Sequence, residues 1–440
     1  MAGADILKER KFHDAWAFYL FIIFTIVMDT IYIVTTKQTF NDATTYIVSN
    51  KIIQIVLSNF ALTLCLILLF LLLSSFAPKA LVIGSVLTVP AVSIYYYIRF
   101  KVYEGEFALV LSILIFAINL IFLIIAGIVV LVNLEYVSQS LSIASKIFFQ
   151  NFLSILGVQF ICFFVLILLM APAFLADTSE PVLKILAYAS TLLFGWTATI
   201  ISLFMEVFVS SVVFFHIKND ESGIFGNAFN NSLYALGSIS FGALLVAIVF
   251  TLKSMIADAK SANTGKNRSI ATSIFLSIAE GIVSLLGDVI QFANSIAFPY
   301  LSVTGTKYSE AVAQSFQVLT SSGLEKIAAY YSLDFVIITV TLISLYMIFN
   351  INNFGILPLM GAGTANDNTT LILSAIFTAG FGFFFYSLFA LLKSAVMSLI
   401  YATAACPSEL KGYCPEFVEL VEKEKKKHVP ADASKNQNPQ

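Results

Sequence analysis

Residues 52–76 read IIQIVLSNFALTLCLILLFLLLSSF, a run without a single charged side chain. A helix needs about 20 predominantly apolar residues to cross the roughly 30 Å hydrocarbon core of a bilayer. Backbone amides inside lipid find no water to bind, so a spanning segment of this kind must satisfy them within a helix. This stretch therefore predicts a transmembrane helix, and much of the chain repeats its composition.

The whole chain is too apolar for a water-soluble protein. It has 440 residues, 59% hydrophobic and 11% charged, with a net charge of −2 and a mean hydropathy of +0.92. Soluble domains carry about 25% charged residues. A soluble fold of this length would lack polar surface to cover itself, which excludes a soluble enzyme, a disordered chain and a nucleic-acid binder. We therefore predict an all-α, polytopic bundle of transmembrane helices.

About ten apolar runs are long enough to be spans, and only short connections separate them. The first run lacks a clear A-x-A cleavage site, so we interpret it as a retained span and not as a signal peptide. The predicted organisation is a cytosolic N-terminal segment (1–15), a transmembrane domain (16–402) and a cytosolic tail (403–440). The runs are residues 16–34, 52–76, 80–98, 107–134, 152–175, 185–215, 233–256, 270–298, 335–360 and 371–402.

Basic residues at both ends of the chain favour cytosolic termini, which ten spans satisfy. They are Lys8, Arg10, Lys11, Lys423, Lys425, Lys426 and Lys427. However, ten spans place the four basic residues between 253 and 268 on the non-cytosolic side of the membrane. This arrangement conflicts with the tendency of basic residues to lie on the cytosolic side. Residues 270–298 carry a polar stripe that either lines an aqueous pathway or is the wet face of a helix at the membrane surface, and the conflict favours the surface. The stripe is Ser277, Gly281, Ser284, Asp288, Gln291 and Ser295.

The sequence contains none of the common catalytic motifs. It has no phosphate-binding Gly-rich loop, no His-Glu-x-x-His and no Gly-x-Ser-x-Gly. Its three histidines lie outside the apolar runs, and its four cysteines form neither a disulfide framework nor a metal-ligand cluster. We therefore predict no enzymatic activity, no cofactor and no metal, which leaves a facilitator or a secondary transporter.

One charged residue lies well inside a predicted span. A charge at mid-bilayer costs about 2.5–3.5 kcal/mol and usually faces a bundle interior or a cavity. On a helix, a polar face about 80° wide has Trp196 at its edge and holds Thr199, Ser202, Glu206 and Ser210. A carboxylate and a tryptophan on one polar stripe suit a small organic cation, so we predict a substrate site at Trp196, Thr199, Ser202 and Glu206. Alternatively, Glu206 pairs with another buried polar group and Trp196 anchors the span at the interface.

Six short segments occur in a fixed order along the chain. They are KFHDAW (11–16), YYYIR (95–99), GSISFGALLVAI (237–248), FANSIAF (292–298), GTKY (305–308) and CPSEL (406–410) with CPE (414–416) behind it. Together they resemble the choline transporter-like family, most closely its fungal branch. The chain departs from the family pattern at Cys406, where the family carries an aspartate, and at residues 295–297.

The resemblance implies a ten-span transporter of choline or a related amine such as ethanolamine, in the plasma membrane. It places Trp196 on a tryptophan typical of the family, whereas relatives carry a different polar residue at Glu206. The implied partners are a small cationic amine and the lipid bilayer, with facilitated or proton-coupled transport. The alternative is a non-transporting membrane protein that acts in lipid organisation or protein interaction.

Overall fold

The computed structural model describes residues 11–35, 50–88, 117, 134–169, 181–218, 223–262, 270–321, 324–359 and 368–427. All regular structure in these ranges is helical, which confirms the all-α class. The helices are α1 (Ala15–Thr35), α2 (Asn50–Phe76), α3 (Pro78–Thr88), α4 (Leu134–Gln150), α5 (Phe152–Leu169), α6 (Pro181–Ile217), α7 (Ile224–Tyr234), α8 (Leu236–Ala262), α9 (Ile270–Thr304), α10 (Tyr308–Ser321), α11 (Leu324–Ile351), α12 (Asn368–Ala405), α13 (Pro407–Tyr413) and α14 (Pro415–Lys427).

Six of the described helices are long and apolar enough to cross a bilayer, or seven if α4 and α5 together count as one span. The chain is therefore a multi-pass membrane protein. The predicted spans 80–98 and 107–134, and the segment YYYIR, lie partly or wholly outside the described residues, so the count of ten stays a prediction. Residues 270–298 form part of one continuous helix, α9, which passes the length and hydropathy test.

The chain divides into two compact units, each built from two separate stretches. The first unit holds Met1–Thr45 and Asn151–Val318, and the second holds Tyr46–Gln150 and Leu319–Gln440. The predicted transmembrane domain, residues 16–402, contains parts of both units. The units are therefore interleaved along the sequence.

Helix α6 is the centre of the first unit. It contacts α1, α5, α7, α8 and α9, and its side chains Val207 and Phe208 are fully buried. Apolar residues occur on every face of α6, as expected for a helix surrounded by others. Any polar group on α6 is thereby brought close to several neighbouring helices.

Helix α12 has the corresponding position in the second unit, against α2, α4 and α11. Helix α11 continues into a π-helical segment, Asn352–Ile356, and a last turn at Leu357–Leu359. There the side-chain amides of Asn59 and Asn352 bond each other reciprocally, at 2.9 and 2.6 Å, and both side chains are buried. Buried amides must find partners because an unpaired polar group is costly away from water.

The two proline motifs of the C-terminal segment are helix starts. Pro407 is the first residue of α13, and Pro415 is the first residue of α14. At this position a backbone N–H has no partner within the helix, so proline, which lacks the N–H, loses no hydrogen bond. Glu409 and Glu416 lie in the first turns, where the helix dipole favours negative charge. The ring of Phe417 then packs on Tyr136 of α4, with the centroids 5.7 Å apart.

Candidate functional site

Four of the sequence motifs meet in the first unit, although up to 294 residues separate their members. Their contacting residues form a group that we name the motif cluster. It consists of Asp14, Trp16, Ser238, Phe241, Asn294 and Tyr308.

The carboxylate of Asp14 joins three elements of this cluster. Its Oδ2 accepts a hydrogen bond from the Ser238 hydroxyl at 2.7 Å and another from the backbone N–H of Tyr308 at 3.1 Å. Tyr308 is the first residue of α10, whose N-terminal amides lack partners within the helix. Asp14 therefore caps α10 from a distant part of the chain and ties it to α8.

A row of aromatic rings packs beside these polar bonds. Trp16 meets Phe241 edge to face at 5.4 Å, and Phe241 meets Tyr308 at 5.3 Å with nearly perpendicular planes. Phe298 of α9 packs on the same tyrosine at 5.7 Å. Such pairs add about 0.5–1.5 kcal/mol each beyond the burial of their area, so the row links α1, α8, α9 and α10.

Tyr308 and Asn294 connect α10 to α9 and α8. The Tyr308 hydroxyl donates to Asn294 Oδ1 at 2.6 Å, and Asn294 Nδ2 donates to the Gly242 carbonyl at 3.3 Å. Burial raises the pKa of the Tyr308 phenol to about 12, so it remains a neutral donor at physiological pH. A side chain at Gly242 would meet Phe298 and Tyr308 at 2.8 and 2.9 Å, so this close approach requires glycine.

Trp196 lies next to the motif cluster, with only 2% of its surface exposed. Its indole N–H donates to the Ser240 carbonyl of α8 at 2.8 Å. Phe21 of α1 meets the ring edge to face at 5.3 Å, and Phe24 lies at 6.3 Å. The polar edge of the indole is thus fixed by α8, while α1 covers its apolar surface.

The other three predicted site residues follow Trp196 along α6. Thr199 is partly buried and its hydroxyl donates to the Gly195 carbonyl at 2.7 Å; Ser202 is exposed and Glu206 is half-buried. Because α6 rises about 1.5 Å per residue, Trp196 and Glu206 lie about 15 Å apart. One small amine cannot contact both at once, so the four residues trace a path along the helix.

A small polar cleft opens at the edge of the motif cluster, whose Ser238 is among the residues that line it. Lys11 and His13 line it from the N-terminal segment, Tyr234 from α7, and Thr306 from the connection between α9 and α10. None of the four predicted site residues is among the described residues that line it. Within the part of the chain that the structure describes, no group of three His, Cys, Asp or Glu side chains lies close enough to hold a metal ion.

Several polar residues that are not among the predicted site residues lie at helix contacts. Asn231 of α7 is buried and donates to the Ser211 hydroxyl and, at 2.8 Å, to the Ser302 carbonyl. Lys393 of α12 binds Asp334 of α11 at 2.6 Å. In the sequence, each of these residues is visible only as a single polar residue in an apolar helix. That pattern does not show which residue it binds.

Comparison with known proteins agrees with the motifs. A family model described as plasma-membrane choline transporter matches residues 113–407, more than half of the chain. A CTL-like protein of Dictyostelium discoideum is 28% identical over 82 residues, 19% of this chain and 14% of that protein. Protein PNS1 of Saccharomyces cerevisiae is 27% identical over 96 residues (21% and 17%), and that of Debaryomyces hansenii 24% over 108 residues (24% and 20%).

The aligned segments span a fifth or less of the length of these relatives. The longer family match includes Trp196 and four members of the motif cluster, Ser238, Phe241, Asn294 and Tyr308. Two of the relatives are fungal, in agreement with the branch that the motifs resemble. This multi-pass membrane protein belongs to the choline transporter-like family.

Proposed function

We propose that the protein passes choline or a related small amine, such as ethanolamine, across the plasma membrane by facilitated or proton-coupled transport. Membership of the family supports this class of activity. In this chain the main support for transport is the polar path on α6. This helix contacts five others and yet has a half-buried Glu206 and an exposed Ser202. Because a charged side chain inside the membrane costs free energy, an intramembrane carboxylate is a candidate functional residue.

The proposed roles differ along the path. Glu206 neutralises the charge of the amine or takes up and releases the proton that is coupled to its transport. Trp196 presents an aromatic ring that attracts a quaternary ammonium group, worth about 0.5–2 kcal/mol. Ser202 and Thr199 lie between them on the same face, where their oxygens contact a passing cation. Both termini are cytosolic in this proposal, as the flanking basic residues favour.

The test is uptake of radiolabelled choline into proteoliposomes that hold the purified chain, with unlabelled choline and ethanolamine as competitors. We expect saturable uptake. Glu206→Gln weakens it about tenfold, which corresponds to about 1.4 kcal/mol. Ser202→Ala, on the same face one turn earlier, is the matched control and has a small effect.

Trp196→Phe keeps an aromatic ring and removes the hydrogen bond to the Ser240 carbonyl, together with the volume of one ring of the indole. This variant therefore distinguishes the contribution of the aromatic ring from that of the hydrogen bond. Trp196→Ala would remove both at once. No uptake above empty liposomes, with or without a pH gradient, would contradict the proposal. Equal and small effects of Glu206→Gln and Ser202→Ala would contradict the role of the carboxylate.

A further inference from the structure

We propose that Asp14 is a latch that holds α1 closed over Trp196, and that its release exposes the ring to the substrate. The latch consists of Asp14, Ser238 and Tyr308. The inference rests on the proposed function in assigning Trp196 to the substrate path. It assigns Asp14 as a positioning residue, because Asp14 acts through α1 and does not itself contact Trp196 in the described structure.

The first step concerns the conformation of Asp14. Its φ of 52° lies in the left-handed region that favours glycine, and it is the one non-glycine residue with positive φ in the described ranges. Such a conformation persists only where the surroundings impose it. Here the two hydrogen bonds to Ser238 and Tyr308 supply that constraint.

The second step concerns the fit of the N-terminal segment on α8. A side chain at Gly237 would come within 2.0 Å of the His13 carbonyl oxygen and 2.9 Å of the Asp14 carbonyl carbon. The backbone of residues 13 and 14 thus lies directly on the start of α8. The entry of the chain into α1 is fixed at this point.

The third step concerns the packing of α1 itself. Its buried face includes Ala17, Phe21 and Met28, whereas Tyr19, Ile23 and Ile26 on the other faces are exposed. In the first unit α1 packs on α8 and, less extensively, on α6. It is therefore a peripheral helix, held by one apolar face and by the polar latch at its N-terminal end.

The fourth step relates the latch to the tryptophan. Phe21 follows Asp14 by seven residues, about 10 Å along the helix, and meets the Trp196 ring at 5.3 Å. The Trp196 N–H is bound to α8, not to α1. A displacement of α1 at its latched end therefore uncovers the ring without breaking the tether of the indole.

Tryptophan fluorescence tests this directly, because the chain has only two tryptophans, Trp16 and Trp196. The Trp16→Phe background keeps a ring against Phe241 and leaves Trp196 as the single reporter. The full-length protein in lipid nanodiscs is titrated with acrylamide, whose quenching constant scales with the open fraction. Far-ultraviolet circular dichroism of each variant verifies that the helices remain folded.

Loss of one net hydrogen bond shifts a two-state equilibrium about fivefold. We expect Ser238→Ala to raise the quenching constant of Trp196 by about this factor, and Asp14→Ala by more. Asp14→Asn keeps a carbonyl oxygen that accepts both bonds, so it restores much of the protection. Glu310→Gln is the matched control. Glu310 is an exposed residue in the first turn of α10 and is not part of the latch, so this variant removes a carboxylate near Asp14 and leaves the latch intact.

A second readout separates this proposal from the proposed function. If only the open state binds choline, the apparent KM falls in Ser238→Ala and Asp14→Ala by the same factor as the open fraction rises. Unchanged quenching in both variants overturns the latch, whatever the uptake. Changed quenching with an unchanged KM overturns α1 as the cover of the substrate site. Changed quenching without choline uptake in any variant supports the latch and rejects amine transport.

Discussion

The Nζ atom of Lys393 lies 2.6 and 2.7 Å from the two carboxylate oxygens of Asp334, so an ion pair joins α12 to α11 in the second unit. The two side chains are 18% and 35% exposed. Each charge alone inside apolar helices would be costly, and pairing offsets much of that cost. This pair is the basis of the first prediction.

We expect Lys393→Met to lower the free energy of unfolding by about 2 kcal/mol, because it leaves the Asp334 carboxylate uncompensated in a partly buried place. Adding Asp334→Asn to the same chain should recover most of the loss. Thermal unfolding of the detergent-solubilised protein measures both. Strictly additive losses in the double variant would show that the pair contributes no coupling.

Close packing at Gly242 gives the second prediction. Gly242→Ala forces the ring of Phe298 or Tyr308 to move, and overpacking of this kind costs about 1–3 kcal/mol. Gly281 is the control, since no atom outside its own helix lies within 4 Å of the position where its Cβ would be. Gly281→Ala should leave stability unchanged or raise it by up to about 1 kcal/mol, because alanine favours a helix. A similar loss for both variants would refute the packing argument.

The paired amides of the second unit give the third prediction. Asn352→Leu leaves the Asn59 amide without its reciprocal partner, at a cost of about 1–3 kcal/mol. The double variant Asn59→Leu, Asn352→Leu removes both polar groups and should lose less than the sum of the single changes. A double-mutant cycle on thermal unfolding measures this coupling, and a coupling energy of zero would contradict the reciprocal bonding.

The fourth prediction concerns the thiol of Cys414, between α13 and α14. Burial raises its pKa from 9.0 to about 11; nearby Lys146 lowers it and Glu416 raises it by smaller amounts. In a chain whose other three cysteines are replaced by alanine, alkylation by iodoacetamide should rise about tenfold per pH unit up to about pH 11. In denaturant the rate should level off near pH 9.

The same shift has a consequence for stability. The unfolded thiol loses its proton near pH 9.0, while the folded thiol keeps it up to about pH 11. Its contribution to stability is therefore complete below pH 9 and is lost as pH rises from 9 to 11. Cys414→Ala should flatten that part of the stability profile, and an unchanged profile would refute the shift.

Composition and motif order predict much of this protein from sequence alone. The run at 52–76 and its counterparts predict membrane helices because a bilayer admits few alternatives. The order of the six motifs predicts the family, which the match over residues 113–407 confirms. The polar stripe around Glu206 predicts Trp196 as a site residue, and that role stays a prediction.

The partners of single polar residues could not be predicted. Asp14 reads as part of an entry motif, and only the fold places Ser238 and Tyr308 around its carboxylate. From the sequence alone, Lys393 would be interpreted as a lysine that extends its charged end to the membrane surface. Hydropathy indicates only how deep a residue lies in the membrane and does not identify its neighbours. The distance between Trp196 and Glu206 follows from helix geometry, whereas the cover of Trp196 by Phe21 depends on how α1 packs.

The interleaved units have a consequence for biosynthesis. Asp14 enters the membrane region early, whereas Tyr308 is made 294 residues later. At about 5–20 residues per second of translation, α1 waits roughly 15–60 s for its final partners. Completion of the first unit therefore waits for α10, because Tyr308 is the last partner of Asp14 to be made.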